Sequence, residues 1–380
     1  MVLWLYLVGN MKRRELLKYV SLLAIYSNIS YSRSKILPME CYPTNKNLCE
    51  QRIEQSCLYY GVFFERKTHN VLLVYSFDGV VFSQPIRLFI DGISGQQVNG
   101  RDPSIIFHDG IWYISVTSDV PDVRDFIVFY SKDLITWEQK NVCLDGNIPI
   151  CSKSRIWADG EEPALHLWAP EFIAVDGKLY ITASIYQGKD KFASTKKNKF
   201  SIGIAEVINL SFSSFGKMRK ILLTDSSFRR LSYSRIDAVI SKDLSRNIYI
   251  LAVKRENFGV IDIFESMSID GGYSLIGTIN LHSGFEESKW VDIEAPIVYK
   301  IDNGQWVLAF DAYTDAHGIL FVTTTDFIAF TNPRRLRLGN KNIIRMRHGT
   351  IQKSLGLSDN EKIINQLCFL LNKINDREVF

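Results

Sequence analysis

The sequence predicts an all-β protein: a five-bladed β-propeller followed by a short C-terminal helix. The first observation behind this is a phrase that recurs four times, in which an acid opens an apolar strand and a polar turn and an aromatic strand follow. Arg101-Asp102-Pro103-Ser104-Ile105 leads to Ile111-Trp112-Tyr113-Ile114, and Trp168-Ala169-Pro170-Glu171-Phe172 leads to Lys178-Leu179-Tyr180-Ile181. Arg235-Ile236-Asp237-Ala238-Val239 leads to Ile248-Tyr249-Ile250, and Asp292-Ile293-Glu294-Ala295-Pro296 leads to Gln305-Trp306-Val307-Leu308. Copies about 57–69 residues apart, built of strands alone, suit propeller blades. The second observation is a fifth inner strand, Arg345 to Ile351, with no outer strands after it, while strands over residues 58–82 stand spare before the first repeat. Together they make a fifth blade that closes the ring and protects its edges. The third is a turn phrase of Ser or Thr, then Asp two residues on, at the outer end of the repeats.

Taken in order, the chain begins with a segment that is not part of this fold. Residues 1–32 place Lys12-Arg13-Arg14 ahead of the apolar run Leu16 to Tyr26, interrupted by Lys18 and Ser21. A basic region before about ten apolar residues reads as an export signal, too short to span a bilayer comfortably. Arg13-Arg14-Glu15-Leu16-Leu17-Lys18 resembles a twin-arginine signal, with Leu16 where an aromatic is usual. The expected location is periplasmic or extracellular, with no stable membrane span in the mature protein. Met11 is a second candidate start. Residues 33–57 form a polar lead-in holding Cys41, Cys49 and Cys57. An exported chain permits disulfides: Cys143 with Cys151, or two of the first three cysteines, and the spacing leaves both open.

The propeller is expected over 58–355. Leu58 to Phe64 and Val71 to Tyr75 are its first strands, turned by Ser76-Phe77-Asp78-Gly79 into Val80-Val81-Phe82. The blades then run over about 100–150, 165–225, 233–280 and 290–338. Turn phrases stand at Ser131-Lys132-Asp133, Ser268-Ile269-Asp270 and Thr325-Asp326, each with an aromatic shortly after to pack back on its blade. Residues 356–380 carry the helix, from Ser358 to Asn375. Ser358 and Glu361 form a capping box, and Ile363, Leu367, Leu370, Leu371 and Ile374 make one apolar stripe for packing on the propeller.

Composition narrows the function. The 380 residues are 46% hydrophobic and 23% charged, with a net charge of +4. That is ordinary globular composition. No basic run with interleaved aromatics is seen beyond Arg334-Arg335-Leu336-Arg337, which argues against a nucleic-acid partner. No CxxC or HExxH occurs, so a catalytic transition metal is not expected. In a propeller the inner strands start near the axis, so the repeat starts converge. Asp102, Asp237 and Glu294 are then three carboxylates around one funnel. Glycosidic cleavage needs such a set: one acid, one ionised base, and a third charge to tune them.

At these residues the chain resembles glycoside hydrolase family 43 and its clan of five-bladed arabinanases, arabinofuranosidases and β-xylosidases, over roughly residues 58–355. The resemblance rests on Arg101-Asp102-Pro103, Trp168-Ala169-Pro170-Glu171, Ile236-Asp237, Glu294-Ala295-Pro296 and Arg347-His348-Gly349. It implies inverting hydrolysis of O-glycosidic bonds in arabinose- or xylose-containing oligo- or polysaccharides. Asp102 matches the base, Glu294 the acid and Asp237 the modulator of pKa. An inverting pair stands roughly 6.5–9.5 Å apart to admit water. The resemblance adds Arg347 as a substrate contact and His348 near the axis, facing substrate, water or a structural calcium; no cofactor is required. Ala295 departs from the glycine usual after the acid.

Other readings stand beside these. Asp292 lies two residues from Glu294 on the same face, so the acid is open between them. Trp168 either stacks on sugar or fills core, and Glu171 reads chiefly as architectural. Arg101 and Arg235, at blade starts, are expected substrate contacts; Trp290 and Tyr313 are weaker candidates. A carbohydrate-binding propeller without turnover is one rival function. A sialidase-like propeller is another, since Arg101, Arg235 and Arg347 all open blades. Loops 119–126, 152–166, 186–200 and 225–234 are expected to rim the mouth, with five lysines between Lys189 and Lys199.

Overall fold

The structure is a computed structural model. It describes residues 58–90, 95–118, 125–143, 166–186, 200–227, 229–231, 233–281, 292–312, 318–338, 346–354 and 356–375. The chain divides into two units, Met1–Cys41 and Tyr42–Phe380, and all described residues belong to the second. The export segment, the lead-in with its three cysteines, Cys151, the lysine-rich stretch, Trp290 and Tyr313 lie outside them.

Five blades are present. The first strands are β1 (Tyr59–Glu65), β2 (Val71–Ser76), β3 (Val81–Phe82) and β4 (Ile86–Arg87). Blade one is β5 (Arg101–His108), β6 (Ile111–Thr117), β7 (Asp125–Ser131) and β8 (Glu138–Cys143). Blade two is β9 (His166–Val175), β10 (Lys178–Tyr186), β11 (Phe200–Glu206) and β12 (Arg219–Lys220). After β13 (Leu223–Thr224), blade three is β14 (Arg235–Asp243), β15 (Ile248–Arg255), β16 (Val260–Ser266) and β17 (Tyr273–Ile279). Blade four is β18 (Glu294–Lys300), β19 (Trp306–Ala312), β20 (Gly318–Thr324) and β21 (Arg334–Arg335). Last come β22 (Arg337–Leu338), β23 (Met346–Lys353) and the helix α1 (Leu357–Asn375). β23 pairs with β1 in a sheet ordered β23-β1-β2-β4, and β22 pairs with β3. The last inner strand is thus completed by the first strands of the chain.

The strands read as near-continuous apolar runs because both faces of each blade are covered by its neighbours. The Ile173, Ile202, Ile240, Leu251 and Phe264 cluster fills the space between blades two and three. That of Ala252, Ile263, Val298, Leu308 and Phe310 fills the space between three and four. α1 lays Ile363, Leu367, Leu370 and Leu371 on the first and closing blades, against Tyr60, Ile105, Trp112 and Trp137. Trp112 Nε1 donates to Gln366 Oε1 at 2.6 Å. The helix opens earlier than the capping box suggests: Asn360 N–H donates to the Gly356 carbonyl at 2.9 Å, so Ser358 lies within the first turn.

The turn phrase is a hydrogen-bonded device. Ser131 Oγ accepts from Leu134 N–H, and Asp133 Oδ1 accepts from the N–H groups of Ile135 and Thr136, each at 2.9 Å. Ser76/Asp78 and Thr324/Asp326 repeat it. In blade three the pattern sits two residues earlier than the sequence phrase implied. Ser266 Oγ accepts from Ser268 N–H at 3.0 Å, as Ser131 does from Asp133, and Asp270 joins through Ser268 Oγ at 2.7 Å.

Candidate active site

Each inner strand is bulged close to its start. The β5/β6 register slips between Arg101 and Ser104, β14/β15 between Ile236 and Ala238, and β18/β19 between Glu294 and Ile297. The β9/β10 register slips opposite Ala169, and the β1/β23 register skips His348. Four of the bulge residues take left-handed backbone: Asp102 (φ 51°), Ala169 (φ 47°), Asp237 (φ 56°) and Ala295 (φ 52°). A bulge re-aims a side chain, and here it does so at the same level of every blade. Strain of this kind costs about 1–2 kcal/mol per non-glycine residue.

The bulges also correct the sequence alignment. Asp102 and Asp237 are true equivalents. Glu294 lies one residue before its bulge residue, and Glu171 two after. Blades two and four put alanine at the bulge itself. The reason is local: a bulge absorbs an extra residue, so counting along the strands misplaces the level by one or two.

The carboxylates differ in environment. Asp102 Oδ1 lies 3.1 Å from His348 Nδ1, and its Oδ2 accepts from Thr117 Oγ1 at 2.8 Å. Thr117 Oγ1 in turn accepts from Ala169 N–H at 2.9 Å, which ties blade one to blade two. Burial pushes the Asp102 carboxyl up, but the His348 charge and hydrogen bond, with Arg101 and Thr117, outweigh it and hold it down at about 2. Burial pulls His348 down, and the acids Asp102, Asp237 and Glu171 more than reverse this, to about 10. At neutral pH the two therefore form an ion pair. Asp237 is raised to about 6, first by burial and then by the charges of Glu294 and Asp102, against the pull of His348 and Lys254. Its N–H donates to Ser184 Oγ at 2.9 Å, and its Oδ2 accepts from Ala295 N–H at 3.4 Å. Glu294 accepts from two cations, Lys254 Nζ at 2.9 Å and Arg347 Nη2 at 2.6 Å. Arg347 Nε also donates to Asp311, whose Oδ2 takes the His348 N–H at 3.3 Å.

Asp102, Asp237, Glu294, Arg101, Arg347 and His348 thus come together. The Asp292 carboxyl lies over Gly259, where a Cβ would meet Oδ1 at 2.1 Å. Trp168 is half-buried, 4.8 Å from Phe200 and 5.7 Å from His166 between ring centroids. Arg235, expected to touch substrate, is 2% exposed and donates to Asp262 Oδ2 at 2.9 Å. Its side chain turns along its own blade to β16, where the buried Asp262 carboxylate needs a buried cation. Glu171 is buried beneath the site, where Thr350 Oγ1 reaches both its oxygens at 2.9 Å, and burial raises it to about 8.

Sequence reasoning missed Lys254 and Asp311. Asp311 was visible as a lone charge after the apolar run Trp306 to Phe310, and a charge in such a run is buried only if paired; Lys254 opens the charged run Lys254-Arg255-Glu256 and gave no such signal. As for calcium, His348 Nδ1 is taken up by Asp102, and calcium prefers oxygen ligands. Among the described residues no group of three or more His, Cys, Asp or Glu is arranged to hold a metal ion. The axial residues suit an ion pair better than a cation site.

No curated protein matches the sequence. Among solved structures, an exo-β-1,3-galactanase from Clostridium thermocellum matches with 14% identity and a TM-score of 0.47, covering 67% of this chain and 51% of that one. The chain thus spans about half of that galactanase. An endo-arabinase from Bacteroides thetaiotaomicron matches with 15% identity and a TM-score of 0.44, covering 66% and 84%. An α-L-arabinofuranosidase from Lactobacillus brevis matches with 19% identity and a TM-score of 0.40, covering 59% and 67%. The family model described as glycosyl hydrolases family 43 matches residues 96–325, and with these residues forming blades one to four the chain belongs to that family.

Proposed function

We propose that the protein hydrolyses O-glycosidic bonds in arabinose- or xylose-containing glycans with inversion at the anomeric carbon. Asp102 is the base, Glu294 the acid, and Asp237 the charge that tunes the acid. The observation that carries this reading is the convergence of three carboxylates in unlike environments. Asp102, held down at about 2, is ionised at neutral pH and can accept from a water. Burial, and then the charges of Glu294 and Asp102, raise the Asp237 carboxyl. Lys254 and Arg347 orient Glu294 between them. The sialidase-like reading needs three convergent arginines, and the burial of Arg235 against Asp262 weighs against it. The binding-only reading has no use for a strained Asp102 and Asp237.

The test is proton NMR of the first product anomer, with aryl α-L-arabinofuranoside, β-D-xyloside and β-D-galactoside. Inverted product, abolished in Asp102→Asn, is the expected result and also identifies the sugar. Retained configuration would sink the assignment of Asp102. We further propose that residues 1–32 direct export; a reporter fused behind them that stays in the cytoplasm would reject this.

A further inference from the structure

We propose that Tyr233 and Phe258 form a stacking subsite for a sugar ring of the glycan chain, beyond the ring held at the carboxylates. This rests on the glycan-acting reading above. The two side chains are 50% and 49% exposed, yet they are held in place. Their ring centroids lie 5.6 Å apart at 76°. The Arg255 guanidinium lies 5.3 Å from the Tyr233 centroid and 5.5 Å from that of Phe258. Arg255 is itself bound to Asp262, which is fully buried and also takes Arg235 and Thr278 Oγ1, the latter at 2.9 Å. A buried charge network therefore fixes two exposed rings from beneath, and ordering them on binding costs little.

Their place on the blade points the same way. Arg235 and Arg255 stand opposite each other at the end of blade three where Asp237 lies. Phe258 sits in the turn 256–259, and Glu256 N–H donates to the Ser234 carbonyl at 3.0 Å, joining that turn to the segment carrying Tyr233. Lys254, the residue before Arg255, holds Glu294. The rings thus rim the same mouth as the carboxylates. Buried aromatic rings contribute about 150–250 Å² each, far below the roughly 800 Å² per partner of a stable protein interface. The patch fits one ring with an apolar C–H face, such as a sugar, with hydroxyls reaching the partly exposed Arg255.

The test is affinity electrophoresis through gels containing arabinan or arabinoxylan, using Asp102→Asn protein so that the polymer survives. The expected result is retardation in at least one polymer, weakened at least fivefold by Tyr233→Ala and by Phe258→Ala and kept by Tyr233→Phe. Equal retardation with and without the alanine changes would overturn the subsite, as would loss in Tyr233→Phe or no retardation in either polymer. Aryl glycoside turnover by the unaltered protein reports on hydrolysis separately. Turnover with retardation indifferent to both rings removes only the subsite, and retardation that needs the rings without turnover removes only the hydrolase reading.

Discussion

His348 and Asp102 control each other's charge across 3.1 Å, and most residue-scale behaviour of the site follows from that pair. Replacing His348 by Asn removes the charge that offsets burial at Asp102. The carboxyl then titrates higher, and the acid limb of the kcat/KM profile should move up by at least one pH unit; an unmoved limb would mean that Asp102 does not govern it. Glu294→Gln should cut kcat at least a hundredfold on poor leaving groups and much less on activated aryl glycosides, within the range typical of general acid catalysis at about 10²–10⁴-fold. Equal loss on both would show that Glu294 acts through Lys254 and Arg347 rather than as the acid. Ala295 explains the glycine usual at its position: with φ at 52° an L-residue is strained there. Ala295→Gly should relieve that strain, partly offset by a freer unfolded chain, for a net gain of about 0.5–1 kcal/mol in denaturant unfolding. Glu171 and Glu294 were both legible as acids near strand starts. Their different levels were not, because a bulge is invisible in a one-residue count.

At the scale of elements, the helix is where sequence pattern and structure agree most closely. Its apolar stripe is the stripe that packs, and Leu367 is fully buried against blades one and five. Leu367→Ala should cost about 2–5 kcal/mol, read as a lowered denaturation midpoint with unchanged far-ultraviolet dichroism. A loss under 1 kcal/mol would mean that α1 is an accessory rather than part of the core. The turn devices at Asp78, Asp133 and Asp326 were legible because their hydrogen bonds are local, spanning two or three residues. The shifted copy in blade three was not, since Ser268 stands where the other turns carry their Asp. Arg235 shows the opposite limit. Its place at a blade start was right, but its rotamer is chosen by Asp262, 27 residues on, and no local rule reports such a partner.

At the scale of the whole molecule, the ring brings buried Asp102, Glu171, Asp237 and His348 together, so stability should depend on pH in a definite sense. Asp102 is depressed, so its contribution is present above its ordinary value of 3.8 and is lost as pH falls through about 2. His348 is raised, so its contribution is full below 6.5 and is lost as pH rises through about 10. Glu171 is a raised acid whose burial penalises ionisation, so stability falls between 4.5 and about 8. The native state thus binds more protons than the unfolded chain on the alkaline side, and stability declines there. Asp237, raised to about 6, adds to the decline between 3.8 and 6, so Tm should peak near pH 4 and fall toward pH 9, and Glu171→Gln should flatten the part of that fall below pH 8. A Tm that rises across this interval would contradict the assignment.

The sequence by itself determined the five-bladed class, the closure of the last blade by the first strands, the buried face of the helix, and which acids open the inner strands. These rest on period, local hydrogen bonding and composition, which are properties of short segments. Only the tertiary structure decided the site: that Glu294 meets both Lys254 and Arg347, that His348 pairs with Asp102, and that Arg235 is spent on Asp262. Each of those choices is a contact between blades or between distant strands. It depends on left-handed bulges that turn side chains by one register, and on buried charges that must each find a partner wherever the fold supplies one.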